Sequence, residues 1–292
     1  MNYRFMRYPE GKIKAVTFSY DDGPIFDIRL AEIFSKYGMK ATFNLNSSRM
    51  KPESSGVIGI EDAKKYILGA SHEIAVHGQQ HVAPASARPI DSVKEVLFGR
   101  LELEEQFDMT IRGMAYPDSG IRLEHNGNDK DTVKNQLSDL GIAYARSVGG
   151  DNDMFELPTD WYEWIPTAHH DNSEIFDYIE RFLLINFDGK YCSKRWPRLF
   201  YIWGHSFEFD RNDNWDRIEK ICALLSGKSD TWYATNVEIY DYVKAYESLE
   251  ISADGTRVYN PTLIKVWFDV DGELFSVAPG EHIRVGDAKN EK

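Results

Sequence analysis

The sequence predicts an α/β fold: a parallel sheet wrapped by helices, better suited to a barrel than to an open sheet, with a small β appendage after it. Three observations predict this. Strand-like and helix-like stretches alternate over about 240 residues, the pattern of successive β/α units. Seven or eight such units fit a barrel better than an open sheet. Beyond residue 249 the pattern changes to short strands around Asp-Gly turns. Residues 1–249 therefore read as the barrel and 250–292 as the appendage.

The first unit opens with AVTFSYDDGP, where Val16 and Phe18 alternate with Thr17 and Ser19 before a turn at Gly23-Pro24. DIRLAEIFSKYG follows as a helix, with Ile28, Ala31, Ile33, Phe34 and Tyr37 at helical spacing and Gly38 closing it. ATFNLN is a strand, EDAKKYILG a short helix and HEIAVH a strand. DSVKEVLFGRLELEEQF is a helix with Asp91 as N-cap. IRGMAY, IAYARSV and RLFYIWGH read as strands, and WIPTAHH as extended. DTVKNQLSDLG, SEIFDYIERFLLINF (Ser173 as cap) and NWDRIEKICALLSG read as helices. TWYATN is the last barrel strand and NVEIYDYVKAYESL the closing helix. In the tail, LIKVWFDVDGELFSV is a hairpin turning at Asp271-Gly272, and ISADGTRVYN adds a strand. The final DAKNEK reads as frayed.

Composition narrows the function. The 292 residues suffice for a barrel of roughly 200–250 residues plus an appendage. An apolar fraction of 42% allows a large core. A net charge of −13, with no run of basic residues, makes the chain a poor nucleic-acid binder. Two cysteines, Cys192 and Cys222, are too few for a disulfide framework and read as thiols in a reducing compartment, with a single bridge left open. The first residues carry no apolar run that would make a signal peptide, and nothing approaches the ~20 apolar residues of a membrane span. The expected location is cytoplasmic, or secreted if a signal peptide has been trimmed. Oligomeric state is left open.

Three clusters stand at strand ends. Asp21 and Asp22 close the first strand, adjacent carboxylates where like charges repel. His77 and His81 in AVHGQQH are four apart; if a helix starts there, the two rings share a face at metal-ligand spacing. His205 closes the apolar strand YIWGH; alone it reads as a core histidine, beside the other clusters as catalytic. One Asp and two His make a metal set, leaving a spare Asp and a spare His. Catalytic zinc takes three protein ligands and keeps a position for water, whose pKa it lowers. A neighbouring carboxylate can take the water's proton and a facing histidine can protonate the leaving group.

With these residues in hand, the chain resembles the polysaccharide deacetylase family of metal-dependent carbohydrate esterases, from about Lys14 to Tyr246. TFSYDDGP, HGQQH, MAYPDSG and WGHSFEFD resemble its motifs in order. The resemblance implies a distorted (β/α)7-type barrel. It implies Asp21 as general base, Asp22, His77 and His81 as metal ligands, and His205 as general acid. Tyr116, Pro117 and Gly120 would line the groove, with a backbone N–H, taken at Tyr116, holding the oxyanion.

The chain departs from the family pattern in four places. The Arg expected two residues before Pro117 is Ala115; Arg112 is out of register, and Arg146, at another strand end, is the candidate to support Asp21. Asp118-Ser119 replaces an aromatic, Trp203 stands where Leu is common, and the acid-Trp motif corresponds weakly to Asp160-Trp161. His169 and His170 match no motif; they read as an exposed pair or as placing one ring, His170, in the pocket. Trp161 and Trp164 read as sugar-stacking or core aromatics.

The sequence thus points to a hydrolase that removes acetyl groups from an N- or O-acetylated oligo- or polysaccharide by a metal-activated water. Asp21, His205 and Arg146 are its catalytic set, and Tyr116, Pro117, Asp118, Trp161, Trp203 and His170 its substrate contacts. Zn²⁺ suits the ligand set best, though Co²⁺, Ni²⁺, Mn²⁺ or Fe²⁺ can occupy similar ligands. Two alternatives stand beside it: an amidohydrolase of a non-sugar amide, such as a ureide or cyclic imide, on the same scaffold, and a non-catalytic carbohydrate-binding protein that works through its β tail.

Overall fold

The computed structural model describes residues 3–50, 55–118, 120–121, 129–187 and 195–285. Ser119, Cys192 and the terminal DAKNEK lie outside the described residues. The fold is α/β, built on a curled parallel sheet that forms a distorted barrel.

Its strands, in chain order after a first strand β1 (Arg4–Arg7), are β2 (Lys14–Asp21), β3 (Ala41–Leu45), β4 (Glu73–Val76), β5 (Gly113–Ala115), β6 (Tyr144–Arg146), β7 (Ala168–His169), β8 (Arg198–Gly204) and β9 (Thr231–Tyr233). Spatially they run β6-β5-β4-β3-β2-β8-β7. The central strand β2 is eight residues long and buried throughout, as a strand covered on both faces must be. Its length serves three neighbours: Lys14 to Tyr20 pair with β8, while Lys14, Ala15 and Val16 also pair with β9 and Phe18 to Asp21 with β3. One segment spans the gap between the outer strands. The Trp164 N–H donates to the Ala145 carbonyl of β6, and the Thr167 N–H donates to the Tyr201 carbonyl of β8.

Helices cover the sheet with the predicted apolar faces. Asp27–Lys36 buries Leu30, Ala31, Ile33 and Phe34. Several expected details change. The long helix begins at Pro89, not at Asp91; the rigid φ of proline suits a first turn, and Asp91 instead pairs with Arg88 at 2.6 Å. Ser173 does not cap its helix, which starts at Ile175 behind Glu174. No helix begins at HGQQH, and a short helix, Ser206–Arg211, follows His205. The closing helix Asn236–Glu247 starts with a Thr235/Glu238 capping box.

The tail forms β10 (Glu250–Ile251), β11 (Arg257–Tyr259), β12 (Val266–Val270), β13 (Glu273–Val277) and β14 (His282–Arg284). β12 and β13 are the expected hairpin; Asp271 and Gly272, at φ 51° and 90°, make the two-residue turn. β1 pairs antiparallel with β12, so the chain's first strand completes the tail's sheet. Arg7 and Arg195 meet Asp269 there in a buried charge cluster, and burial pushes the Arg7 guanidinium down to about 10. Among the described residues, no helix is long and apolar enough to cross a membrane.

Candidate active site

Strand register brings the site together at the C-terminal end of the sheet. Asp21 pairs in register with Asn44 on β3, and the Asn44 amide donates to Asp21 Oδ1 at 2.8 Å. On the far side, Ala115 of β5 pairs in register with Arg146 of β6. The guanidinium missing at Ala115 thus comes from one strand over, at the same height, and Arg146 Nη2 donates to Asp21 Oδ2. Burial pushes the Asp21 carboxyl up, but Arg146, His77, His205 and the Asn44 amide outweigh it and hold the group below its ordinary value.

The chain bends sharply after Asp21. Asp22 and Gly23 both have positive φ, 75° and 62°, a conformation that Asp tolerates better than most residues. This turns Asp22 toward the histidines. Its Oδ1 lies 3.8 Å from His77 Nε2 and 3.4 Å from His81 Nε2. His77 is buried, and its Nδ1–H donates to the Ala115 carbonyl at 3.0 Å, which leaves Nε2 as a lone pair facing Asp22. Burial pushes this imidazole below its ordinary value, toward the neutral form a ligand needs. His81 arrives by a loop, with φ at 68°, and its Nδ1 lies 3.7 Å from Asp118 Oδ1. The three facing ligand atoms lie within 4.8 Å of one another. The exposed Arg49 reaches Asp22 Oδ1 at 3.4 Å.

His205 stands opposite, with Nε2 3.9 Å from Asp22 Oδ2. Its partner is Glu208, one helical turn on, whose Oε2 is 3.4 Å from His205 Nδ1 and accepts the His205 backbone N–H at 3.2 Å. Burial pushes the His205 imidazole down, but Glu208, Asp21 and Asp22 outweigh it and raise it above its ordinary value. Glu208 Oε2 also meets His169 Nε2 at 3.1 Å and His170 Nε2 at 3.4 Å. This trio has a metal-like composition, but its hydrogen bonding favours another reading. The Asp171 N–H donates to His169 Nδ1 at 3.1 Å, so the neutral ring carries its hydrogen on Nε2, aimed at Glu208.

Residues 3–145 match the sequence profile of the family described as polysaccharide deacetylase. That stretch, just under half of the chain, is a polysaccharide deacetylase domain, which supports a carbohydrate deacetylase. No curated protein matches the chain in sequence. Among solved structures, a putative polysaccharide deacetylase from Mycobacterium smegmatis is 18% identical, with 82% of this chain covering 93% of that one at a TM-score of 0.56. The peptidoglycan deacetylase PdaC from Bacillus subtilis, solved as a mutant, is 16% identical, with 82% covering 96% at 0.50. Both likenesses are of fold. The Streptococcus pyogenes deacetylase PplD, in complex with acetate, is 19% identical; the match takes in 46% of this chain and about half of that one, 55%, at 0.41.

Several residues with expected roles sit elsewhere. The Tyr116 N–H donates to the Arg146 carbonyl at 3.0 Å, so it is not free for an oxyanion. The Tyr116 ring is buried, with its hydroxyl on the Tyr162 carbonyl at 3.0 Å. Pro117 is buried beside it, and Asp118 is exposed at the mouth. Trp161 is a core residue, edge-on to Trp164 and Tyr240 at 4.9 and 5.0 Å, with no ring face left for a sugar. Asp160 caps a turn and pairs with Lys134 at 2.7 Å, away from His205. His170 is wholly buried, stacked between Tyr20 and Phe209, and burial pushes it down to about 2; it does not line a pocket. Trp203 does adjoin the site, with Arg146 over its ring at 4.6 Å and His205 at 6.0 Å.

Sequence reasoning missed Asn44, Glu208 and the buried Asp27. Glu208 had a signal, the capping-box spacing from His205. Asp27 accepts from the Ser206 hydroxyl at 2.5 Å and ties the first helix to the residue after His205. Burial raises the Asp27 carboxyl well above its ordinary value. Cys222 is buried, and burial raises its thiol.

Proposed function

We propose that the chain is a metal-dependent hydrolase that removes acetyl groups from an N- or O-acetylated oligo- or polysaccharide. The observation that carries this reading is the convergence of Asp22 Oδ1, His77 Nε2 and His81 Nε2 beside the arginine-held Asp21. The donor chemistry fits a divalent metal: one carboxylate and two imidazoles, one of them with its Nδ1 hydrogen already taken by Ala115. Zn²⁺ suits this set best, with Co²⁺, Ni²⁺, Mn²⁺ and Fe²⁺ as substitutes.

Asp22, His77 and His81 would hold the ion, which when bound supplies a water of lowered pKa and polarises the acyl oxygen. Asp21, kept ionised by Arg146, takes the proton that the water releases as its oxygen bonds to the acetyl carbon. Asn44 and Arg146 fix that carboxylate from both sides, so it meets the water in one orientation. His205 gives a proton from Nε2 to the sugar nitrogen or oxygen as the bond to the acetyl carbon breaks, and acetate leaves. Glu208 holds the hydrogen on His205 Nδ1 and fixes which nitrogen faces the cleft. Trp203 offers the sugar an aromatic wall beside the reacting centre.

The experiment is acetate release from acetylated oligosaccharides, with and without a chelator. Chelation should abolish turnover and added Zn²⁺ should restore it. Full turnover by a metal-free protein carrying Asp22→Ala and His77→Ala would sink the reading.

A further inference from the structure

The loop that carries His81 folds around a single buried carboxylate. Glu95 lies on the helix Pro89–Phe107, at a position that faces the interior, where unpartnered carboxylates are rarely found. Its Oε1 accepts from the Gln80 N–H at 2.7 Å and the Val82 N–H at 2.9 Å, the amides on either side of His81. Its own carbonyl accepts from the Gln79 N–H at 2.9 Å. Two alternate amides thus converge on one oxygen, with the left-handed His81 between them, a concavity of the kind that binds anions. Here the concavity is filled from within the chain.

The surrounding sequence makes room for this arrangement. A side chain on Gly78 would meet Glu95 Oε1 at 2.5 Å, and one on Gly99 would meet the Gly78 backbone at 2.9 Å. Two glycines therefore let the helix and loop approach closely enough for the carboxylate to reach the amides. The two histidines facing Asp22 are held differently. His77 is the continuation of β4, with its ring fixed by the Ala115 carbonyl. His81 has a left-handed backbone, φ 68°, and no strand or helix of its own.

We propose that Glu95 is a positioning residue for the metal site: its carboxylate, seated among the amides flanking His81, holds that imidazole where it meets Asp22 and His77. The inference rests on the metal reading of those three residues. Glu95 touches neither metal nor substrate. Its effect is to spare the loop an ordering step when the ion arrives.

The test is Zn²⁺ affinity of the full chain, by competition with a chelating dye, at a temperature where every variant is folded. Glu95→Ala should weaken binding by about 10–100-fold, the usual effect of removing a group that supports a ligand. Glu95→Gln keeps an oxygen acceptor without the charge and should fall between wild type and Glu95→Ala. Glu73→Gln, at the other end of the barrel, should bind as wild type does, which separates positioning from general loss of stability. Glu95→Ala within twofold of wild type would overturn the inference; should that variant fail to fold, Glu95→Gln at wild-type affinity does the same. Wild-type protein that binds no Zn²⁺ would bring down the metal reading and this inference with it.

Discussion

At the C-terminal end of the barrel the buried charges adjoin the part-exposed Asp22, His81 and His205, while at the N-terminal end they are enclosed by hydrogen-bond partners. At the C-terminal end Arg146 spends one nitrogen on Asp21, and its Nε and Nη1 have no hydrogen-bond partner among the described residues. Asp22, His81 and Asp118 hold positive φ there. At the other end Glu73 accepts from the Tyr144 hydroxyl at 2.6 Å, the Thr42 hydroxyl at 2.8 Å and the Val237 N–H at 2.9 Å. Lys14, at the start of β2, is equally occupied, with Asp230 at 2.8 Å and the Leu183 and Ile185 carbonyls at 3.1 and 3.2 Å. One sheet thus carries two kinds of buried charge. The paired and saturated kind locks strands and helices together. The strained and partly unpartnered kind is the sort that clusters at functional sites.

Substitutions at the two ends should separate these roles, and the largest effect belongs to Asp21. Asp21→Asn keeps the Asn44 contact but removes the base, and should lower kcat by about 10²–10⁴-fold with little change in KM. Steady-state kinetics on an acetylated oligosaccharide checks this. Arg146→Ala is the one change expected to damage both properties. It strips a buried carboxylate of its cation, which costs about 3–5 kcal/mol of stability in urea unfolding, and it lowers kcat as Asp21 loses its ionised form. An Arg146→Ala protein with unaltered turnover would break the assignment of Arg146 to Asp21.

Glu208→Gln should act more mildly, lowering kcat by about 10-fold through a misoriented His205 while unfolding is little changed. Glu73→Gln should leave kcat alone and change the pH dependence of stability. Burial pushes Glu73 up from 4.5 to about 7, against the pull of Tyr144, Val237 and Thr42. A raised carboxyl favours folding while it is protonated. Its contribution is full below pH 4.5 and is lost as pH rises through about 7. Wild-type stability should therefore fall by roughly 3 kcal/mol across that window relative to Glu73→Gln, measured by urea unfolding at several pH values. Parallel profiles for the two proteins would place the titration elsewhere.

Much of this was legible along the chain because it depends on neighbours in sequence. Alternation of strand and helix, the apolar faces and the Asp-Gly hairpin turn are short-range patterns. Asp21, Asp22, His77 and His205 stood out because they stand where strands end, and parallel strands end on one face of a sheet; His81 stood out by its spacing from His77. Where sequence reasoning misplaced a residue, the missing fact was a contact made far away in the chain. Trp161 looked available to a sugar until Tyr240 and Trp164 enclosed it, and His170 until Tyr20 and Phe209 did.

By itself, then, the sequence determined the succession of elements and the chemistry at their ends, since backbone propensity and side-chain type are local properties. Tertiary structure decided the partnerships. Strand register set Arg146 level with Ala115, so that a guanidinium from the next strand meets Asp21. The close approach at Gly78 and Gly99 let Glu95 reach the amides around His81. The strand end at Arg146 made it a candidate partner for Asp21, but the Glu95 contact does not follow from spacing, because a buried charge finds its partner through the packing of distant segments, and only the folded chain fixes which segments those are.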